Sequence, residues 1–354
     1  MQDFIKKTEG ERSNLHASVL ISSYQRATFL RHTLEALTNQ KEATFDIVVV
    51  LKPSGDGSEQ VIQEFKNRLD LQVIIQKEGF LIDSINLGLK YTKGDVIIFL
   101  DDDAIPDESF IEEHLRCYKS KLKIGGVAGN VIPTILGKGD EVNFKTGNSQ
   151  IISVRTPFLK SISRRLWRCP LPGMENYYVY ISKAGNVEYN ADITKNLGDG
   201  VFKSLLGRGA NMSVLRKAIE GLTLPRSWLL GLSYEQYIGW FIWRRGYITL
   251  FDPKAVVHHL IHGESLSRNA SGKRLVLISV ENQLLFSRLY GLEPRLSMKQ
   301  RVIWLIFDFF KILRKKSGIK YGVQAFTKGE IIGLKWRLIR SQRENGIIDL
   351  LKIT

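Results

Sequence analysis

The sequence predicts an α/β fold in which helices flank a mostly parallel central sheet. Short apolar runs alternate with segments of helical periodicity between residues 16 and 101, which is typical of parallel strands joined by right-handed crossovers. One of these runs, Val96 to Leu100, is apolar without interruption, as in strands that are buried on both faces. We therefore expect a buried central strand with ligand-binding loops beyond its carboxyl end.

The same pattern places the individual elements of this region. The predicted strands are His16–Ser22, Phe45–Leu51, Leu71–Ile75 and Val96–Asp101. Apolar residues at helical spacing indicate a helix after each of the first three strands. Their apolar faces are Phe29, Leu30, Leu34 and Leu37, then Val61, Ile62 and Phe65, then Leu81, Ile85, Leu87 and Leu89. Parallel strands end at one edge of a sheet, so one rim is expected to hold Ser22–Arg26, Lys52–Ser58 and Asp101–Asp103.

The central strand runs directly into three carboxylates, Asp101, Asp102 and Asp103. Adjacent negative charges repel one another, and the end of a buried strand solvates them poorly. A divalent cation bound by carboxylate oxygens would relieve this repulsion and would leave coordination positions for phosphate oxygens. The alternative is that the three aspartates only form a polar turn before a helix that starts near Pro106.

Composition places the chain among soluble globular proteins. It has 354 residues, of which 44% are apolar and 25% are charged, and a chain of this length can bury a sizeable core. Its two cysteines, Cys117 and Cys169, lack metal-ligand spacing and are expected to be reduced in the cytoplasm. The N-terminus has no signal-peptide pattern, and no apolar run approaches the length that spans a bilayer.

The net charge of +15 is concentrated in two stretches. The segment 295–354 has 14 basic and 4 acidic residues, and the segment 155–168 has five basic residues and no acidic one. Such local basicity indicates a polyanionic partner, either an anionic membrane surface or nucleic acid. The aromatic stretch Arg301 to Lys311 favours a helix lying in the membrane interface. We therefore expect peripheral association with the cytoplasmic membrane face; ordinary packing of these helices on the catalytic domain is the alternative.

Six segments, in this order, resemble the inverting glycosyltransferases of family 2, which have the GT-A fold. They are Ile21–Arg26, Asn86–Gly88, Lys93–Asp95, Gly209–Ser213, Tyr234–Gln236 and Pro253–His259. The resemblance extends from about Ser18 to Asn282. It implies a GT-A catalytic domain over residues 1–265, with a nucleotide-sugar-binding half at 1–103 and an acceptor half at 104–265. Residues 266–354 would form a basic, amphipathic helical extension at the C-terminus.

The resemblance also implies a site for a nucleotide-sugar donor and for Mn²⁺ or Mg²⁺. Asp103 would bind the metal directly, Asp101 would bind the metal or the ribose, and Asp102 would support them. His259 would be a third metal ligand or a diphosphate ligand, unless it is a structural residue. The residues expected at the donor are Ser22, Ser23, Tyr24, Arg26, Lys52, Ser54, Asn86, Asp101 and Asp102. Those expected on the acceptor and phosphate side are Asn211, Arg244 and Arg245.

Transfer with inversion needs a base that removes the proton of the acceptor hydroxyl. Glu235 lies where the family has its catalytic acids and is the only acid left there, since Gln236 follows it. The alternative for Glu235 is a helix-start glutamate stabilised by the macrodipole. The second strand ends in Leu51 and Lys52, where the family has aspartates that contact the base, so the expectation of a uridine donor is weakened. The acceptor would be a glycan or a lipid-linked glycan.

Two other functions compete with glycosyl transfer. A sugar nucleotidyltransferase shares the sheet and the metal, but it needs a glycine-rich loop after the first strand. The segment Ser22–Arg26 has no glycine. A non-enzymatic nucleic-acid-binding protein would use the basic C-terminal region, yet the sequence has none of the standard nucleic-acid-binding motifs. We therefore expect no nucleic-acid partner.

Overall fold

In the computed structural model, most of the N-terminal two thirds of the chain can be described. The described residues are 15–41, 44–136, 142–143, 169–183, 187–190, 193, 200–224, 234–261 and 306. The predicted basic helices at 155–168 and 301–311 lie outside this set, as does almost all of the extension at 266–354. None of the helices in the described residues has both the length and the apolar character needed to cross a bilayer.

A mixed sheet of ten strands forms the centre of the fold. One half is parallel, in the order β3-β2-β1-β4, with strands at Ala17–Ser23 (β1), Phe45–Leu51 (β2), Leu71–Ile75 (β3) and Val96–Asp101 (β4). These bounds agree with the prediction to within one residue. The strand β4 is fully buried from Val96 to Leu100, as its continuous apolar run requires. The predicted α/β fold with a mostly parallel central sheet is confirmed.

The other half of the sheet contains antiparallel pairs. The strand Asn211–Leu215 (β11) lies antiparallel between β4 and Ile124–Leu136 (β6), and Ile248–Ile261 (β12) runs parallel to β6. The short strands Ala104–Pro106 (β5) and Phe202–Lys203 (β10) pair with β12, and Val142–Asn143 (β7) pairs with β6. A separate hairpin joins Val179–Ile181 (β8) and Val187–Tyr189 (β9).

Five helices are described, and their apolar faces cover the sheet. They are Ala27–Thr38 (α1), Ser58–Phe65 (α2), Leu81–Tyr91 (α3), Phe110–Tyr118 (α4) and Tyr234–Arg244 (α5). The buried faces of α1 and α2 agree with the prediction, apart from the half-buried Phe29. The predicted face of α3 is wrong in part. Leu81 is 39% exposed, whereas Ile82 and Gly88 are buried, because Gly88 lets the helix backbone approach Leu20 and Val50 closely.

A break in the pairing of β12 determines how the strand reaches the rim. Its register against β6 shifts between Asp252 and Val256, where Pro253 has no backbone N–H to donate. The Asn211 amide donates to the carbonyls of Ala255 and Asn130 at 2.8 Å and so holds the irregular segment in place. Beyond the break, the alternation of side chains directs His258 and His259 to opposite faces of the strand.

Candidate active site

The carboxyl ends of three parallel strands form one rim, as expected. β1 ends at Ser23, β2 at Leu51 and β4 at Asp101, and the register places Ser22 beside Asp101. Neighbouring parallel strands share a direction, so the segments that follow them leave the sheet at the same edge. The three predicted rim segments therefore lie together.

Asp101, Asp103 and His259 converge at this rim. One ligand atom from each lies within 4.8 Å of the others. The Nε2 atom of His259 is 3.2 Å from Asp103 Oδ1 and 3.7 Å from Asp101 Oδ2. The backbone fixes this arrangement, because His259 pairs with Ala104 across β5 and the Leu260 amide donates to the Asp103 carbonyl at 2.8 Å. A residue more than 150 positions away thus joins the aspartates that end β4.

The geometry of these three residues fits a divalent cation. Mg²⁺ binds oxygen ligands at about 2.0–2.1 Å in an octahedron, so neighbouring ligand atoms lie roughly 3 Å apart. The 3.2 Å separation of His259 Nε2 and Asp103 Oδ1 is close to that spacing. Two carboxylates and an imidazole suit Mn²⁺ as well. The residues present could therefore hold either ion, and three coordination positions would remain for phosphate oxygens and water.

Asp102 lies behind the metal ligands in an ion pair with Arg26. Arg26 Nη1 donates to Asp103 Oδ2 at 2.5 Å and to Asp102 Oδ1 at 3.1 Å. The Asp102 side chain is buried, and burial raises its pKa to about 7 despite the Arg26 charge. The Thr33 hydroxyl donates to the Asp102 carbonyl and ties α1 to this turn. Arg26 was expected at the donor; its contacts here are with the aspartates, a pairing that was not predicted from the sequence.

Glu235 lies in the first turn of α5, close to the metal ligands. Its pKa is raised from the ordinary 4.5 to about 7, mainly by burial and in smaller part by the nearby charge of Asp101. The neighbouring Tyr234 is buried against Phe99, with ring centroids 6.4 Å apart. Burial raises the pKa of Tyr234 well above its ordinary value, and the nearby charges of Asp101 and Glu235 act in the same direction. A carboxyl group with a pKa near neutrality is suited to take up a proton.

A small cleft lies near Glu235. Tyr189 and Arg208 line it, and their electrostatic interactions with Glu235 show that it is near the predicted base. Tyr178 and Phe251 contribute further aromatic walls, with ring centroids 5.5 Å apart. Sequence reasoning missed this cleft. Its walls come from β6, β8, β9 and β12, which only the sheet topology brings together.

Two exposed aromatic rings flank Lys52 at the far side of the rim. Its Nζ atom lies 5.3 Å from the ring centroid of Tyr24 and 5.8 Å from that of Phe80, and it donates to the Gly79 carbonyl at 3.0 Å. Tyr24 and Phe80 are 47% and 56% exposed. Lys52 and Tyr24 were expected at the donor, whereas Phe80 was missed because it follows the edge strand β3. Flat apolar faces beside a cation can hold an aromatic ring of a ligand.

Four other predicted donor residues make local contacts. Ser22 accepts a hydrogen bond from Ser84, which fixes α3 against β1, and Ser23 is buried at the end of β1. Ser54 donates to Asp56 within the loop after β2. The Asn86 amide both donates to and accepts from the backbone of Leu224. Asn86 therefore joins α3 to the segment after β11 and does not face the metal ligands.

The predicted role of Asn211 at the acceptor is wrong. Its side chain is fully buried. Its Nδ2 atom donates to the two backbone carbonyls described above, and its Oδ1 atom lies 2.9 Å from His114 Nε2. Since all of these partners belong to the core, Asn211 has no surface with which to contact an acceptor.

Arg244 and Arg245 do not lie near the metal ligands either. Arg244 ends α5 and Arg245 follows it, whereas Glu235 lies in the first turn of this helix, whose 11 residues span about 16 Å at 1.5 Å per residue. Arg245 donates to the Glu220 carbonyl, and its own carbonyl accepts from Lys123 just before β6 begins. β6 runs toward the rim, so its start marks the opposite edge of the sheet. The expectation that these arginines clamp phosphate is therefore wrong.

Comparison with known proteins agrees with this architecture. Residues 18–178 match the model of glycosyl transferase family 2. This segment is therefore similar to glycosyl transferase family 2. The match contains β2 to β4, all of β1 except its first residue, and both aspartates of the candidate metal site, which supports the predicted transferase.

Relatives of this segment include a chondroitin synthase and a β-N-acetylglucosaminyltransferase. A chondroitin synthase of Pasteurella multocida strain Pm70 is 30% identical over 29% of this chain and 11% of its own length. The poly(ribitol-phosphate) β-N-acetylglucosaminyltransferase TarS of Staphylococcus aureus strain Mu50 is 28% identical over 40% of this chain and 26% of its own length. The chain thus spans only a small part of the curated relatives that it matches.

A solved structure confirms the GT-A fold over most of the chain. GalNAc-T7, crystallised with UDP, GalNAc and Mn²⁺, aligns with 93% of this chain and 57% of its own, with a TM-score of 0.53 and 13% identity. At that identity the likeness concerns the fold alone. It extends beyond the matched family 2 domain into the half of the sheet that carries His259.

Proposed function

We propose that this chain is a divalent-metal-dependent glycosyltransferase that transfers a sugar from a nucleotide-sugar to an acceptor hydroxyl with inversion. The observation that carries the proposal is the convergence of Asp101, Asp103 and His259 beside Glu235. The first three suit a cation that binds a diphosphate. Glu235 suits a general base that takes the proton from an acceptor hydroxyl.

In this proposal, Asp101, Asp103 and His259 hold Mn²⁺ or Mg²⁺. When bound, the ion offsets the negative charge that develops on the diphosphate as its bond to the sugar breaks. Tyr24, Lys52 and Phe80 are supported as donor contacts by their exposed faces at the same rim. Ser22, Ser23 and Ser54 position the loops that carry these contacts.

Glu235 acts on the acceptor side. Its ionised carboxylate takes the proton from the acceptor hydroxyl while that oxygen forms the new bond to the anomeric carbon. The bond from the anomeric carbon to the diphosphate oxygen breaks with its electron pair on the diphosphate. Attack opposite the leaving group inverts the anomeric configuration. The cleft lined by Tyr189 and Arg208 is where we place the acceptor.

We also propose that the acceptor is a glycan or a lipid-linked glycan, reached at the cytoplasmic face of a membrane. The support is compositional, because the two basic stretches that account for the net charge carry aromatic and aliphatic residues among their cations. Both stretches lie outside the described residues.

The proposal is tested by ligand-induced thermal shifts with UDP-, GDP-, CDP- and dTDP-sugars, each with and without Mn²⁺. A ligand that binds the folded state raises the melting temperature by mass action. We expect one nucleotide class to give a metal-dependent shift and to be turned over with inversion. Asp103→Ala should lose both the shift and the turnover.

Glu112→Ala is the matched control for Asp103→Ala, since Glu112 is an exposed carboxylate on α4. It should keep the shift and the turnover. If no nucleotide-sugar gives a metal-dependent shift with the unaltered protein, the proposed function is wrong.

A further inference from the structure

Arg26 is placed unusually close to the candidate metal ligands. Its guanidinium contacts Asp103 through Oδ2, whereas Asp103 turns Oδ1 toward His259. The same nitrogen of Arg26 also reaches Asp102. The side chains are sheltered, with relative exposures of 19% for Arg26, 6% for Asp102 and 4% for Asp103. One carboxylate therefore faces a protein cation on one side and the metal position on the other.

Charge balance explains why a cation is needed here. Two sheltered carboxylates next to a third, Asp101, would repel one another and would lack solvation. Within the described residues, Arg26 is the arginine or lysine that pairs with this cluster. Arg26 follows Gln25, which has a φ of 57°, a left-handed conformation that is uncommon for residues other than glycine. The chain thus adopts a turn of low intrinsic preference just before the residue that reaches the aspartates.

We propose that Arg26 is a built-in counter-ion of the metal site, and that Arg26 and the divalent cation offset the same carboxylate charge. Two cations that share one set of anions oppose each other's binding, and the coupling is reciprocal. Arg26 therefore keeps the site folded without metal, and it weakens metal binding so that the ion is readily exchanged. This inference rests on the metal site of the proposed function.

The test measures binding of Mn²⁺ alone, without nucleotide or acceptor. Isothermal titration and the Mn²⁺-induced rise in melting temperature are recorded for the unaltered protein and for Arg26→Met. Methionine has an unbranched side chain that can replace the aliphatic stem of arginine, but it carries no charge. We expect Arg26→Met to melt lower without metal, to bind Mn²⁺ about tenfold more tightly, equivalent to 1.4 kcal/mol, and to show a larger Mn²⁺-induced rise.

Three further variants identify the cause. Arg31→Met is the matched control, because Arg31 lies on α1, just after Arg26 in the chain, but pairs with the exposed Glu64; its Mn²⁺ affinity should be unchanged. Arg26→Lys keeps the charge and should stay near the unaltered protein. Arg26→Met with Asp102→Asn also removes the carboxyl group that is not a metal ligand, so the tighter Mn²⁺ binding should persist if Asp103 is the carboxylate that Arg26 and the metal share.

These measurements distinguish failure of the counter-ion role from failure of the metal site in the proposed function. An unaltered protein that does not bind Mn²⁺ refutes the metal site itself. An unaltered protein that binds Mn²⁺, with equal or weaker binding by Arg26→Met, refutes the counter-ion role and would make Arg26 either irrelevant to the metal or an orienting group for Asp103. If Arg26→Met is unfolded without metal, folding on addition of Mn²⁺ supports the proposal and failure to fold overturns it.

Discussion

Replacing Glu235 with glutamine tests the site through both catalysis and stability. The substitution keeps the size of the side chain and removes its charge and its ability to take up a proton. Loss of a general base typically lowers the rate by about 10²–10⁴-fold. We expect Glu235→Gln to retain the metal-dependent nucleotide shift and to lose transfer to that extent.

The same substitution should stabilise the folded protein at neutral and alkaline pH. Burial raises the pKa of Glu235 from 4.5 to about 7, so the unfolded chain loses this proton at a lower pH than the folded chain. The folded state is therefore penalised as pH rises from about 4.5 to 7, by at most about 3 kcal/mol at 1.36 kcal/mol per pKa unit. Glutamine does not ionise and avoids this penalty.

Chemical denaturation at two pH values measures the effect. The free energy of unfolding of Glu235→Gln should exceed that of the unaltered protein by about 2 kcal/mol more at about pH 8 than at about pH 5. Glu220→Gln, at an exposed position, is the control and should show no such difference. A Glu235→Gln variant that transfers sugar at the original rate, or a stability difference that does not change with pH, would refute the assignment of a buried base.

Two further predictions concern the core that positions the site. Burial lowers the pKa of His114 to about 4, and its ring nitrogens lie 2.9 Å from Asn211 and Ser213, so His114→Ala should lose about 3 kcal/mol of unfolding free energy near neutral pH. Below about pH 6.5 the unfolded histidine binds a proton that the folded one does not, so this loss should shrink on acidification; denaturation curves showing a constant loss would contradict it. Gly94→Ala should cost about 3 kcal/mol, because its Cβ would lie 2.5 Å from the Ser18 backbone nitrogen. Gly207→Ala, whose Cβ would meet Val179 at 3.4 Å, should cost much less in the same thermal denaturation, and equal losses would contradict the packing argument.

Much of the fold and part of the site could be predicted from local sequence. The parallel half of the sheet is specified by apolar runs, helical spacing and turn residues, all of which act over short distances along the chain. The order of these elements also predicted that Asp101 and Asp103 lie at the rim, because the carboxyl ends of parallel strands meet at one edge of the sheet. His259 was expected from its position at the end of a strand that resembles the family, and in the fold its ligand atom lies within 4.8 Å of those of both aspartates.

The errors share a physical cause, namely that residue type and position in the sequence do not determine which partners a side chain meets. Asn211 was expected at an acceptor, but the break in β12 uses its amide. Arg245 is ten residues from Glu235 in sequence, and one straight helix carries it to the opposite edge of the sheet. Arg26 was expected at the nucleotide-sugar donor, and its contacts with Asp102 and Asp103 could not be predicted from its position in the sequence.

The sequence by itself determined the α/β class, the strands of the parallel half and the acidic end of the central strand, because hydrophobic periodicity and local charge repulsion are properties of neighbouring residues. Only the tertiary structure decided that β11 is inserted antiparallel between β4 and β6, that Arg26 pairs with the aspartates, and that an aromatic cleft lies beside Glu235. Those features depend on contacts between residues far apart in the chain, whose free energy exists only once the sheet has formed.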